Sequence, residues 1–350
     1  MSKKESRTYI ATPPGKLIKE QITDRGITQK ELAMRMDISE KHLSQLINGD
    51  APLTSNIAYR LEMVLGIPAS FWLNYESIYR DKLEKVQQEN QMDSDIETVK
   101  KYPFNEMAKQ GWVEDTKNKY ERVVSLRKFF EVFDLSLVQQ PKLAGIACRR
   151  LSESERSDYA LYAWAQRAKI EARTMEVQPI NVAHLKDSLP RIRQMTEEDP
   201  STFSKELGEL LAESGIALIY LPHIKGSFLH GATFLDGKKI VMGMTVRGKE
   251  ADRFWFSLFH EIGHVMCGHI GRDSENIDQD AEADQFASDI LIDSEAYQQF
   301  TEKKDFTEKS IRDFASEQGI APGIVVGRLQ KESFIQYNRM NHLKQQYEIV

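Results

Sequence analysis

One segment limits what this chain can fold into more than any other. FWFSLFHEIGHVMCGH, residues 254–269, sets H-E-x-x-H, as His260, Glu261 and His264, inside an apolar helical pattern. Residues four apart on a helix stack one turn above the other, with Cβ atoms about 5–6 Å apart, so two imidazoles can grip one ion at about 2.0–2.1 Å each. Glu261 occupies the adjacent sector. From there its carboxylate can take a proton from a water that zinc activates, and later deliver it to a leaving amine. With 8 histidines and 53 acidic residues in 350 positions, chance predicts about 0.03 such motifs in the chain. The segment is therefore read as a zinc site on a buried helix. A catalytic zinc keeps three protein ligands and one open position, so a third ligand is expected downstream on another helix, and Glu282 in DAEADQFASDIL is the candidate.

The rest of the chain is organised serially, without a repeat of solenoid length. From Pro13 to about Leu83, five short amphipathic patterns alternate with turns. Thr28 and Glu31 form a capping box at the start of the second, and Gly26 closes the first. The polar stretch EKVQQENQMDSD, Glu84 to Asp95, marks a linker or a solvated helix end. Lys100 to about Arg193 reads as mostly helical, with Ser152 and Glu155 capping one helix whose buried stripe includes Tyr159, Tyr162, Ala163 and Ala165. A small sheet follows, from Ile216–Leu221 and from Ala232–Leu235 and Lys239–Met242 around an Asp236-Gly237 turn. The expected fold is multidomain: an all-α helix-turn-helix domain over 1–90, a helical connector over 91–195, an α+β zincin-like domain over 196–300, and a charged helical tail over 301–350.

The residues around the zinc motif resemble the ImmA/IrrE metallopeptidases, in which F-x-x-x-H-E-x-G-H is followed by E-A-[DN]-x-F-A. Trp255 to His264 carry the first pattern, and Glu282, Ala283, Asp284, Phe286 and Ala287 the second. The resemblance, over roughly Phe203 to Ile292, implies that Glu282 is the third zinc ligand and Glu261 the general base of a zinc endopeptidase. Relatives commonly carry Glu two residues before that ligand, where this chain has Asp280, so the choice of ligand stays open. Asp278, Asp280 and Asp284 are otherwise read as solvated charges at a helix start. His269 lies about 500° around the helix from His264 and is read as structural, His230 as a group near a substrate carbonyl, and Cys267 as a small buried residue. The strand at Ile240–Met242 is the expected edge for an extended peptide substrate.

The segment TQKELAMRMDISEKHLSQLINGD, Thr28 to Asp50, reads as a capped helix, a turn at Asp37–Ser39, and a second helix ended by Gly49. Ala33 is small where the two helices cross, and Ile38, Leu43 and Ile47 hold the second helix down. Gln29, Ser39, Glu40, Lys41, Ser44, Gln45 and Asn48 then remain as the candidate DNA-facing residues. Gln45 and Asn48 can pair with adenine edges, and Lys41 with guanine or phosphate. Thr28-Gln29-x-x-Leu32-Ala33, Leu43-Ser44-x-Leu46-Ile47-Asn48-Gly49, Ala58-x-x-Leu61 and Phe71-Trp72-Leu73 resemble the Cro/repressor-type (XRE family) domain of HigA antitoxins, which implies operator binding as a homodimer.

Composition excludes several classes. The net charge of −6 gives no global pull toward nucleic acid, so DNA binding must be local. No run of about 18 apolar residues appears, so a membrane span is not expected. Two separated cysteines, Cys148 and Cys267, argue against a disulfide scaffold and for a reducing cytoplasm. Two functions follow. In one, the protein binds a double-stranded operator and is a zinc endopeptidase acting on a regulatory protein. In the other, it is a HigA-like antitoxin or autorepressor, partnered with a cognate toxin or repressor, whose metal domain senses or binds without cutting. The intact Glu261 favours the first, since a metal-binding relic needs no general base.

Overall fold

The structure, a computed structural model, describes residues 4–139, 146–147, 155–224, 230–245, 250–270 and 278–347. The chain divides into two compact units, Met1–Ile96 and Glu97–Val350. The first holds α1 (Gly15–Asp24), α2 (Gln29–Arg35), α3 (Glu40–Asn48), α4 (Ser55–Leu65) and α5 (Ala69–Gln91). Three of these helices start on hydroxyl caps: Thr28, Ser39 and Thr54 accept from Glu31, His42 and Ile57 N–H, each satisfying an otherwise orphaned donor. The expected capping box is half made, because the Glu31 carboxylate turns instead to Arg35, 2.6 Å away. Gly49 and Gly66 end α3 and α4 at positive φ. The core of this unit is a continuous apolar cluster of Ile18, Leu32, Ala33, Leu43, Ile47, Leu61 and Trp72. Of the two readings of Glu84–Asp95, the helix end is the one found: α5 continues to Gln91, though with Val86 fully buried, and α6 (Asp93–Val99) follows at once.

The second unit begins with helices α7 (Phe104–Lys109), α8 (Lys119–Phe130) and α9 (Glu155–Ala172), with the two-residue strand β1 (Ile146–Ala147) between the last two. The Ser152 cap lies outside the described residues. Next come α10 (Val182–Gln194), α11 (Pro200–Glu213), β2 (Ile216–Tyr220), β3 (Gly231–Asp236), β4 (Lys239–Met244), α12 (Ala251–Met266), α13 (Asp278–Leu291), α14 (Ser294–Glu302), α15 (Glu308–Gln318) and α16 (Pro322–Lys331). The sheet runs β1-β3-β4-β2, with β3 antiparallel to β4 and β2 parallel to it. Asp236 pairs with Lys239, so the hairpin turn is Gly237-Lys238, one residue later than expected. The strand at Ile240–Met242 is interior, flanked on both sides, and is not the expected edge.

The apparent charged tail is part of the core. Ile311, Phe314 and Ala315 of α15 and Val325, Val326 and Leu329 of α16 are buried in the same cluster as Trp255, Leu258 and Ile262 of α12. Their spacing of three to four residues puts an apolar stripe on otherwise charged helices. Near the end of the chain, Tyr347 accepts a hydrogen bond from the Trp255 indole at 2.9 Å. Among the described residues, no helix is long and apolar enough to cross a membrane.

Candidate functional site

Helix α12 is buried along nearly its whole length, which is why its sequence is apolar on almost every side. Its histidines and Glu261 are therefore held in a dry environment, His260 and Glu261 4% exposed and His264 2%. Gly263, between the two histidines, lets α13 come into contact: a Cβ there would lie 3.1 Å from the Cα of Ala283. Ala283 in turn sits between Asp280 and Asp284, which lie one turn apart and so on one face of α13. That face meets α12. Asp284 Oδ1 lies 2.8 Å from His260 Nδ1, and Asp280 Oδ1 lies 3.4 Å from His264 Nε2 and 3.9 Å from His260 Nε2.

The two Nε2 atoms are 3.1 Å apart. Asp284 can only accept, so it fixes the proton of His260 on Nδ1 and leaves Nε2 with a lone pair. A zinc ion bound at about 2.0–2.2 Å would hold its donors at tetrahedral edges of about 3.3 Å. The separations among the two Nε2 atoms and Asp280 Oδ1 bracket that value, so this donor set fits a zinc-sized cation with a fourth position left over.

Glu261 is aimed toward β3. Gly231 and Thr233 share one face of that strand: Thr233 Oγ1 donates to Glu261 Oε2 at 2.6 Å, and a Cβ on Gly231 would come within 2.8 Å of the Glu261 Cγ and Oε1. Glycine there is what makes room for the carboxylate. Burial pushes the Glu261 carboxyl above the ordinary carboxylate range, against the opposing hydrogen bond from Thr233. A buried carboxylate beside two imidazoles, with one oxygen held by Thr233, is placed to accept and pass on a proton.

In the first unit, Gln29, Ser39, Glu40, Lys41, Ser44, Gln45 and Asn48 are all exposed, whereas Leu43, Leu46 and Ile47 of the same helix face inward. The turn before α3 is held from α4, because Arg60 donates to the carbonyls of Met36 and Asp37 at 2.5 and 3.1 Å. The polar face of α3 is thus presented on a fixed two-helix frame, the arrangement that fits a major groove.

Residues 18–72 match the helix-turn-helix family. Over 66 residues the chain is 32% identical to the uncharacterized HTH-type transcriptional regulator YddM of Escherichia coli strain K12, a stretch covering 19% of this chain and 70% of that protein. The chain belongs to the helix-turn-helix family. Residues 245–329 match the IrrE N-terminal-like domain, which therefore includes α12 to α15 and most of α16. The protein thus joins a helix-turn-helix DNA-binding region to an IrrE-like peptidase domain.

Within the IrrE-like domain, several residues stand elsewhere than the sequence suggested. Glu282 does not join the two α12 histidines. Two residues from Asp280 is about 200° around α13, and its carboxylate instead meets His269 Nε2 at 2.9 Å. Asp280 and Asp284 are not simply solvated charges, since both face α12; the side chain of Asp278 lies outside the described residues. Cys267 is exposed rather than buried, because it caps the end of α12 where the helix leaves the core. His269 is buried and bonded to His264, Nδ1 to Nδ1, at 3.0 Å. His230 precedes β3 and lines a cavity of about 360 Å³ with Ser257 and Phe256 of α12. Thr233 and Gly231 were missed by sequence reasoning, and Asp284 was taken for a solvated charge although its i, i+4 spacing from Asp280 matches that of the two histidines.

Proposed function

We propose that this protein is a cytoplasmic transcriptional regulator whose second unit is a zinc-dependent endopeptidase acting on a regulatory protein. The observation that carries this reading is the set of His260 Nε2, His264 Nε2 and Asp280 Oδ1 beside a buried Glu261. In this reading His260, His264 and Asp280 are the ligands, with Asp280 in the place the sequence suggested for Glu282. A zinc ion bound there supplies Lewis-acid polarisation of a water and of the peptide carbonyl.

The remaining work falls to the chain's own residues. Thr233 occupies Glu261 Oε2, which leaves Oε1 to take a proton from the attacking water. The same carboxyl group then hands that proton to the leaving nitrogen as the C–N bond breaks. Residues 1–90 bind a palindromic operator as a homodimer through Gln29, Ser39, Glu40, Lys41, Ser44, Gln45 and Asn48, one α3 entering each half-site.

The test is mass spectrometry of a cell extract incubated with zinc and either the wild-type protein or its Glu261→Gln variant. New peptide termini appear with the wild type alone. Identical termini with both proteins, or none with either, overturn the proteolytic reading.

A further inference from the structure

His269 and Glu282 take no part in the chemistry described above. Together with Cys267 they form a second cluster of donor atoms, all within 4.8 Å of one another. Such a cluster is either a second metal site or a hydrogen-bonded chain serving the first, and counting protons decides between them. Glu282 presents a carboxylate to His269 Nε2 at 2.9 Å; with His264 Nε2 taken as a ligand of the first ion, as proposed above, His264 carries its proton on Nδ1, so His269 carries its own on Nε2 and gives it to Glu282. The neutral ring then has a lone pair on Nδ1, 3.0 Å from Nδ1 of His264, and His264 supplies the proton of that bond. His264 keeps its lone pair on Nε2, the atom that lies 3.1 Å from His260 Nε2.

The geometry points to His269 and Glu282 as positioning residues, a relay running from the surface carboxylate through a buried imidazole to the metal-binding nitrogen of His264. The inference rests on the metal-centre reading above. It mirrors Asp284, which does the same for His260 in one step, so each α12 histidine has an acceptor that sets its tautomer. The relay also excludes a second metal. A cation on His269 Nε2 would require that ring to give up both protons, because its Nδ1 already accepts from His264. Glu282 is 62% exposed while the His269 ring is 4% exposed, so the negative end of the relay stays in water and the dry part holds neutral imidazoles.

The experiment is Zn²⁺ affinity by chelator competition, with Co²⁺ absorption as the probe of coordination, on the full chain. The wild type binds one equivalent. Glu282→Ala and His269→Ala bind about 10–100-fold more weakly, the usual effect of losing an outer hydrogen-bond partner, while their Co²⁺ bands keep the wild-type positions because the coordinating atoms are the same. Glu282→Gln, whose amide oxygen still accepts, recovers most of the affinity, and Cys267→Ser changes neither stoichiometry nor spectrum. Circular dichroism checks folding, and should His269→Ala unfold, the two Glu282 variants, altered at an exposed position, carry the test. Wild-type affinity in Glu282→Ala, displaced Co²⁺ bands in that variant, or a second equivalent lost in Cys267→Ser each overturns the relay. A wild type that binds no metal at all overturns the metal centre beneath it, a result distinguishable from the others.

Discussion

Asp252, in the first turn of α12, and Lys344, near the end of the chain, form an ion pair at 2.8 Å with side chains only 8% and 6% exposed. The second oxygen, Asp252 Oδ1, is buried without a hydrogen-bond partner among the described residues. Replacing Lys344 by Met removes the cation in ion-pair contact with this carboxylate and keeps the volume of the side chain. At an effective dielectric of about 20, charges 2.8 Å apart attract by about 6 kcal/mol. Some of that is returned because the carboxylate can take up a proton, so the expected loss is about 3–5 kcal/mol at pH 7. The pH dependence has a definite sign. Burial already raises the Asp252 carboxyl above its ordinary value in the face of Lys344, and losing Lys344 raises it further. A carboxyl raised in the folded state contributes most stability below its unfolded pKa, and that contribution drains away as pH rises through the folded value. The destabilisation of Lys344→Met is therefore larger at higher pH and shrinks as pH falls toward the ordinary carboxylate range. Urea unfolding followed by tryptophan fluorescence reads it out, since Trp164 and Trp255 are fully buried in this unit. Pairing the substitution with Asp252→Leu should recover most of the loss. A wild-type midpoint at pH 7, or a deficit that grows as pH falls, would refute the reasoning.

Two other perturbations test the two functional regions. Gly231→Ala forces a methyl against Glu261, so zinc content should stay at the wild-type level while the cleavage rate falls by about 10²-fold; an unchanged rate in a metal-replete variant counts against the role of that contact. Gln45→Ala and Asn48→Ala should each lose about 1–3 kcal/mol of specific operator affinity while keeping weak non-specific binding. Lys41→Ala should flatten the dependence of affinity on salt. Fluorescence anisotropy over a salt series measures both, and equal binding of the variants to operator and random duplex at wild-type strength rejects the assignment.

Local chemistry was legible in the sequence where the structure depends on neighbours along the chain. Thr28 with Glu31 announces a helix start, Leu43 and Ile47 four residues apart show which side of α3 is buried, and H-E-x-x-H puts two imidazoles on one line by helix geometry alone. The losses occur where distant segments choose a face. Asp280 and Glu282 look equivalent in a string, but they point about 200° apart, and only the packing of Gly263 on Ala283 selects the Asp280 side. The interior place of β4 follows from β2 pairing parallel to it across the β3 hairpin, an order that no local pattern encodes. The last helices were read as a tail because charge dominates their composition, although Ile311, Phe314 and Ala315 keep the spacing of a buried stripe.

The central claim is that three side chains, His260, His264 and Asp280, hold one zinc ion next to Glu261. Anomalous diffraction at the zinc edge from crystals of the zinc-loaded protein tests it most directly. The account predicts one peak per chain, about 2.0–2.2 Å from His260 Nε2, His264 Nε2 and an Asp280 carboxylate oxygen, with Glu282 still bonded to His269. A peak coordinated by Glu282, a peak among Cys267, His269 and Glu282, or no peak between the two α12 histidines would contradict it.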